Sequence, residues 1–163
     1  EEKMNKLFPL AKKFNASIIG LTIDQSGIPK DADGRLALAI KIVSACIDHG
    51  IDVSNLYIDA VILPVNVAQG HAKEVLKAIK DVLMLSDPSP KTILGLSNVS
   101  QGAPDKYRSI INRTFLVMAA SSGLDACIMD AEDKELMDAL ITAELLMEKQ
   151  LYCDSFLDAH RKK

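Results

Sequence analysis

Hydrogen-bonding side chains cluster in the stretch from Thr92 to Gly102, which reads TILGLSNVSQG. Its first half is apolar and predicts a buried strand, whereas its second half carries Ser97, Asn98 and Gln101. Carboxamides and hydroxyls can both donate and accept hydrogen bonds, so they suit a polar ligand, but the same residue types also form ordinary turns. The residue pattern alone slightly favours the turn interpretation for Asn98.

Carboxylates follow the other apolar runs of the chain. Asp59 lies inside YIDAVIL, flanked by apolar residues, where a charge is costly unless a salt bridge or a ligand satisfies it. Asp24 and Asp130 precede helical patterns, so they can serve either as turn and cap residues or as ligands. The nearest cation to this set along the chain is Arg108. These polar residues have the types that a ligand-binding rim needs.

Composition narrows the function classes. The chain has 163 residues, 48% of them hydrophobic, and a formal net charge of -3, which indicates one globular domain over 1–163 and gives no basic surface for nucleic acid. Aromatic residues make up 4% and Trp is absent, which argues against a base-stacking surface. There is no apolar run long enough to predict a membrane span, and three scattered cysteines without a signal-peptide pattern favour the cytoplasm.

Other catalytic motifs are weak. His71 and Glu74 are three residues apart on a predicted helix, but no third ligand has matching spacing, so we expect a solvated helix face and no metal site. Cys127 lies in an apolar run without a neighbouring histidine, which favours a packing role. The chain contains no nucleophile elbow, Walker loop or dinucleotide-binding glycine motif.

The hydrophobic pattern predicts a helix followed by four strand–helix units. The predicted strands span 17–23, 56–63, 92–98 and 125–130, and the predicted helices span 2–14, 35–50, 72–86, 109–123 and 134–152. Glycines at 50 and 123 predict two helix ends. Apolar strands that each precede a helix favour a parallel sheet.

Four parallel strands are too few for an eight-stranded barrel, which typically takes roughly 250 residues. The first helix has no predicted strand before it, which suggests that further strands lie upstream or elsewhere. We therefore predict an α/β fold that is the C-terminal half of a (β/α)8 TIM barrel, with an open doubly wound sheet as the alternative. In both architectures ligands bind at the carboxyl ends of the strands.

The chain also resembles a known family. The resemblance is carried by five stretches: LTIDQSGIPKDADGRLALA, LYIDAVILPVNVAQGHAKEVLKAIK, PKTILGLSNVSQG, INRTFLVMA and LYCDSF. They are similar to the methyltetrahydrofolate:corrinoid protein methyltransferases, whose pterin-binding barrel is shared with dihydropteroate synthase and the folate module of cobalamin-dependent methionine synthase. By this resemblance the chain holds strand–helix units five to eight of the barrel.

The resemblance implies a reaction and a set of roles. A methyl group moves from the pterin nitrogen of 5-methyltetrahydrofolate to the cobalt of a corrinoid (cobalamin) carried by a partner protein, which is a corrinoid or corrinoid/iron-sulfur protein. Asn98 is then the catalytic residue that hydrogen-bonds the methyl-bearing nitrogen, and Asp59 anchors the pterin. The resemblance places Gln101, Arg108 and Asp130 in the surrounding substrate-binding shell.

The resemblance also implies a homodimer. It places the family's other pterin-anchoring Asp and Asn on the third and fourth strands of the complete barrel, which this chain lacks. Two alternatives stay open: a folate-binding module of a methionine-synthase-like system, and a non-catalytic half barrel.

Overall fold

The structure is a computed structural model that describes residues 2–153. Its centre is a four-stranded sheet with the order β1-β2-β3-β4, in which every neighbouring pair is parallel. The strands are β1 (Ile18–Leu21), β2 (Leu56–Asp59), β3 (Lys91–Gly95) and β4 (Ala126–Ile128). The predicted parallel α/β fold is therefore confirmed.

Six α-helices accompany the strands in the described part of the chain. They are α1 (Glu2–Phe14), α2 (Ala32–Asp48), α3 (Val65–Ala68), α4 (His71–Val82), α5 (Asp105–Ser121) and α6 (Lys134–Leu146). Asp31 caps α2 by accepting a hydrogen bond from the Gly34 N–H at 2.8 Å, so this helix begins earlier than predicted. The predicted glycine ends are confirmed, since Gly50 and Gly123 have φ values of 64° and 99°.

The main helices form one layer. Contacts join α2 to α4, α4 to α5 and α5 to α6, so the helices follow the same order as the strands. A sheet whose strands neighbour one another in chain order, with right-handed connections, places its helices on one face. A doubly wound sheet needs helices on both faces, so this arrangement is instead consistent with part of a (β/α)8 barrel.

Among residues 2–153 the other face of the sheet is largely uncovered and carries exposed apolar side chains together with polar residues of β2 and β3. A Cβ added to Gly20 would touch Ile42 of α2, so the alternate residues Ile19 and Leu21 point away from the helices. Ile19, Leu21 and Ile128 are 46%, 48% and 60% exposed, respectively. This face corresponds to the side that becomes the interior when a parallel sheet closes into a barrel.

Three element bounds differ from prediction in ways that matter for the site. The second strand ends at Asp59 rather than continuing to 63, and a short helix α3 follows it. The third strand ends at Gly95 and continues as a 3-10 helix over Leu96–Ser100. The last helix ends at Leu146, and the end of the LYCDSF stretch lies outside the described residues. No helix within residues 2–153 is long and apolar enough to cross a membrane.

Candidate functional site

The candidate residues lie at the carboxyl edge of the sheet. Asp59 is the last residue of β2, Asn98 lies in the 3-10 helix after β3, and Asp130 follows β4. Because parallel strands end at the same edge, the loops that carry these side chains lie next to one another in the order of the strands. The expected polar edge therefore forms.

Asp59 is held in a tight turn. Its Oδ1 accepts a hydrogen bond from the Val61 N–H at 2.8 Å, and Val61 has a φ of 53°. A β-branched residue in this left-handed region is a steric outlier that costs about 1–3 kcal/mol and persists only where surrounding contacts enforce it. Strain of this kind clusters at ligand sites, so it marks the Asp59 turn as more than a chain reversal.

The carboxylate of Asp59 has no counter-ion among the described residues. It is half-buried, and burial raises its pKa above the ordinary value, while the hydrogen bond from the Val61 backbone opposes that rise. A partly desolvated carboxylate that keeps a free oxygen is prepared to accept hydrogen bonds from a ligand. A group with adjacent N–H donors matches this acceptor.

Asn98 presents an exposed carboxamide. Within residues 2–153 its side chain makes no hydrogen bond, whereas its backbone oxygen accepts from the Gln101 N–H at 3.2 Å. Gln101 is also exposed, and it follows the 3-10 helix directly. The 3-10 helix is held in place by the buried side chains of Leu96 and Val99, and within it the Ser100 hydroxyl donates to the Ser97 oxygen at 3.3 Å. The amide groups are thus available on a fixed segment.

A cleft of about 330 Å³ lies beside this segment, between the first turns of α5 and α6. Its lining includes Ser97, Arg108, Asn112 and Asp130. The Arg108 guanidinium lies against the 3-10 helix, with Nε donating to the Ser100 hydroxyl at 3.5 Å. The structure thus brings Arg108 and Asp130 to one cleft, whose lining does not include Asp59, Asn98 or Gln101.

Asp130 keeps its turn role in this geometry. Its Oδ1 accepts from the Glu132 N–H at 2.9 Å, and the residue is exposed. Asp24 does the same with the Ser26 N–H at 2.8 Å. Both acids therefore form local turns of the kind that asparagine and aspartate favour, and both are exposed, whereas Asp59 is partly buried.

Two weak motifs have structural roles. His71 Nδ1 lies 2.9 Å from the Arg35 guanidinium, and Glu74 accepts from the Ala32 N–H at 3.0 Å, so both side chains have protein partners. Among the described residues no group of three or more His, Cys, Asp or Glu side chains could hold a metal ion. Burial raises the pKa of Cys127 to about 11, so its thiol stays protonated and suits the expected packing role.

Sequence reasoning missed two polar residues. Arg35 is completely buried, and Asn112 has a buried Oδ1 without a hydrogen-bond partner among the described residues. Arg35 was detectable, because helical spacing places it on the same face of α2 as Ala39, Ile42 and Cys46. The position of Asn112 beside the cleft had no comparable signal, since it depends on how α5 packs against α6.

These features define an α/β protein whose parallel four-stranded sheet is consistent with part of a TIM barrel and carries polar side chains at its carboxyl edge. No family model matches the chain. The chain is 24% identical over 162 residues to the methylcorrinoid:tetrahydrofolate methyltransferase of Eubacterium limosum, covering 98% of this chain and 59% of that protein. It is 29% and 28% identical over 136 residues to the methionine synthases of Mycobacterium tuberculosis and Mycobacterium leprae, covering 80% of this chain and 11% of each enzyme.

These relatives confirm the resemblance to the methyltetrahydrofolate:corrinoid methyltransferase family. The chain spans about three fifths of the length of the first relative and a much smaller part of the methionine synthases.

Proposed function

We propose that the full-length protein transfers a methyl group from 5-methyltetrahydrofolate to the cobalt of a corrinoid carried by a partner protein. The names of its relatives support an enzyme of the methyltransferase class that works with folate and corrinoid. The structural feature that supports a specific role for a residue is the strained turn at Asp59, which presents a partly buried carboxylate without a counter-ion among the described residues.

Asp59 anchors the pterin in this proposal. A carboxylate can accept two N–H groups of the pterin at once, and such charge-assisted pairs fix orientation as well as affinity. The turn holds one oxygen on the Val61 N–H, so the carboxylate is oriented before the ligand arrives. Orientation is the main requirement here, because the reduced corrinoid supplies the nucleophile and the protein has to place the methyl group in its path.

Asn98 hydrogen-bonds the methyl-bearing nitrogen. When the carbon–nitrogen bond breaks, the methyl group passes to the corrinoid substrate and the nitrogen takes up one proton. A carboxamide can donate before and accept after this change without carrying a charge of its own. Gln101, Arg108 and Asp130 form the remainder of the shell, with Arg108 and Asp130 lining the adjacent cleft.

The name of the Eubacterium relative favours the opposite direction, from methylcorrinoid to tetrahydrofolate. The same residues serve both directions, because the hydrogen bonds at the nitrogen stabilise the shared transition state. We therefore include reverse transfer in the assay as a second candidate activity.

The complete site requires more than residues 1–163. We propose that the chain is strand–helix units five to eight of a barrel, and that the uncovered face of the sheet packs against the first four units. A homodimer follows from the family resemblance as a further expectation, and a cytoplasmic location follows from the scattered cysteines. A folate-binding module without transferase activity and a non-catalytic half barrel are the alternatives that the assay separates.

The proposal is tested by an anaerobic assay of methyl transfer between 5-methyltetrahydrofolate and reduced cobalamin, with the full-length protein as catalyst. The absorbance of the corrinoid measures the transfer in both directions. We expect Asn98→Ala to lower kcat about a hundredfold, as loss of one preorganised donor does at other sites. Asn55→Ala, near the amino end of β2, is the matched control and should leave kcat unchanged. Folate binding without transfer supports the module, and neither binding nor transfer supports the non-catalytic half barrel.

A further inference from the structure

Arg35 is an unusual residue for the buried face of a helix. Its side chain is 0% exposed, and it is the largest fully buried side chain among the described residues. Taking a guanidinium out of water is costly unless its N–H groups find acceptors. Burial lowers the pKa of Arg35, and the nearby Glu74 and Asp31 carboxylates oppose that shift. Such a residue needs a structural or functional reason.

The guanidinium uses its donors mainly on backbone oxygens. Nε donates to the Ala60 carbonyl at 2.8 Å, and one terminal nitrogen donates to the Asp31 carbonyl at 3.0 Å. The other terminal nitrogen lies 2.9 Å from His71 Nδ1, and within residues 2–153 no carboxylate oxygen comes close enough to form a salt bridge with Arg35. Arg35 therefore acts as a backbone clamp rather than as half of an ion pair.

The clamp closes on the residue next to the proposed pterin anchor. Ala60 lies between Asp59 and the left-handed Val61, whose N–H binds the Asp59 carboxylate. On the other side, Thr22 donates both its N–H, at 3.0 Å, and its hydroxyl, at 3.1 Å, to the Asp59 carbonyl. Successive carbonyls are thus fixed from two elements, which supplies the external contacts that a strained turn requires.

We propose that Arg35 is a positioning residue for Asp59: by holding the Ala60 carbonyl, it keeps Val61 in the left-handed conformation that orients the Asp59 carboxylate toward the pterin. The pterin part of this inference rests on the proposed function, whereas the effect on the turn does not. Lysine cannot replace arginine here, because one ammonium group cannot reach three acceptors that a planar fork spans.

The test compares Arg35→Lys with Lys41→Met, which removes a positive charge from an exposed position of the same helix. Backbone chemical shifts of Val61 report its φ, and a carboxyl-carbon titration reports the pKa of Asp59, both by NMR on the full-length protein. In Arg35→Lys we expect the Val61 shifts to lose their left-handed pattern and the Asp59 pKa to fall toward 3.8 as water reaches the carboxylate. Lys41→Met should change neither.

Ligand binding gives the second readout. In calorimetric titration with 5-methyltetrahydrofolate, we expect the Kd of Arg35→Lys to be about tenfold higher or more. Loss of the hydrogen bonds that support metal-binding side chains weakens affinity by a similar factor. If Arg35→Lys does not fold by circular dichroism, Arg35→Gln, which keeps an amide donor, is measured in the same way.

The outcomes separate the two proposals. A folded Arg35 variant in which the Val61 shifts and the Asp59 pKa match the wild type overturns the positioning role. Equal changes in Lys41→Met overturn it as well. A wild type that binds no folate, together with altered Val61 and Asp59 signals in the Arg35 variant, rejects the pterin site while it supports the clamp on the turn.

Discussion

Replacing Asp59 with asparagine should separate folding from ligand binding. The variant keeps an oxygen that can accept the Val61 N–H, so the turn at 59–61 is preserved. It removes the negative charge and turns one acceptor into a donor. If the carboxylate accepts two pterin N–H groups, each charge-assisted bond contributes about 1.5–3 kcal/mol. The asparagine variant loses one of these bonds and places its amide N–H against a pterin N–H. We expect this to weaken the binding free energy by about 3 kcal/mol, which raises Kd about a hundredfold.

Stability should move in the opposite direction. The folded-state pKa of Asp59 is raised above its ordinary value of 3.8 by burial. The stabilising effect of its protonated form is therefore complete below 3.8 and is lost as the pH rises through the folded-state pKa. At neutral pH the wild type carries the cost of a partly buried charge, and Asp59→Asn does not. We expect the variant to be at least as stable as the wild type at neutral pH, with a smaller advantage in acid.

Calorimetric titration with 5-methyltetrahydrofolate and urea denaturation measure the two effects on the full-length protein. Asp52→Asn is the matched control, because Asp52 makes the same type of short-range bond, to the Ser54 N–H at 2.9 Å, at the other end of β2. The control should leave Kd unchanged. An Asp59→Asn protein that binds folate as tightly as the wild type, or that is clearly less stable at neutral pH, would refute the reasoning.

Three further substitutions test the surroundings of the site. Asn112→Leu should leave the free energy of unfolding unchanged or raise it by about 1–3 kcal/mol, because it removes a buried oxygen without a partner in the described part of the chain; a loss of stability in urea contradicts this. Thr92→Val should lower stability by about 1–2 kcal/mol through the lost hydroxyl bond to Asp125 at 3.1 Å, yet leave folate affinity intact because it lies at the amino end of β3; weaker binding argues against that separation. Burial and the neighbouring Arg35 lower the pKa of His71 below 6.5, so its contribution to stability is present above pH 6.5 and is lost as the pH falls through the folded-state pKa. Relative to His71→Gln, the wild type should therefore lose stability on acidification. Parallel pH profiles of the two proteins would exclude this contribution.

Local patterns were sufficient to predict the order of the strands and the longer helices, but not the short helix α3. A continuous apolar run such as the one before Gly95 is typical of a strand in a parallel sheet, where both faces become buried. Glycines 50 and 123 follow helix ends where a left-handed residue is required. The same patterns failed just after Asp59, where the letters AVIL continue an apolar run. Ile62 is 2% exposed, so its burial is what the pattern detected, although the strand had already ended.

That failure and the candidate site have one physical origin. A left-handed valine contradicts its own intrinsic preference, and only contacts distant in sequence can enforce it. The Arg35 bond to Ala60 spans 25 positions and the Thr22 bond to Asp59 spans 37, so no window of local sequence contains both partners. Disagreement between local preference and the folded conformation is expected where the chain is selected for a site rather than for stability. The position at which the strand prediction was wrong is therefore an independent reason, apart from any family resemblance, to look for ligand binding at Asp59.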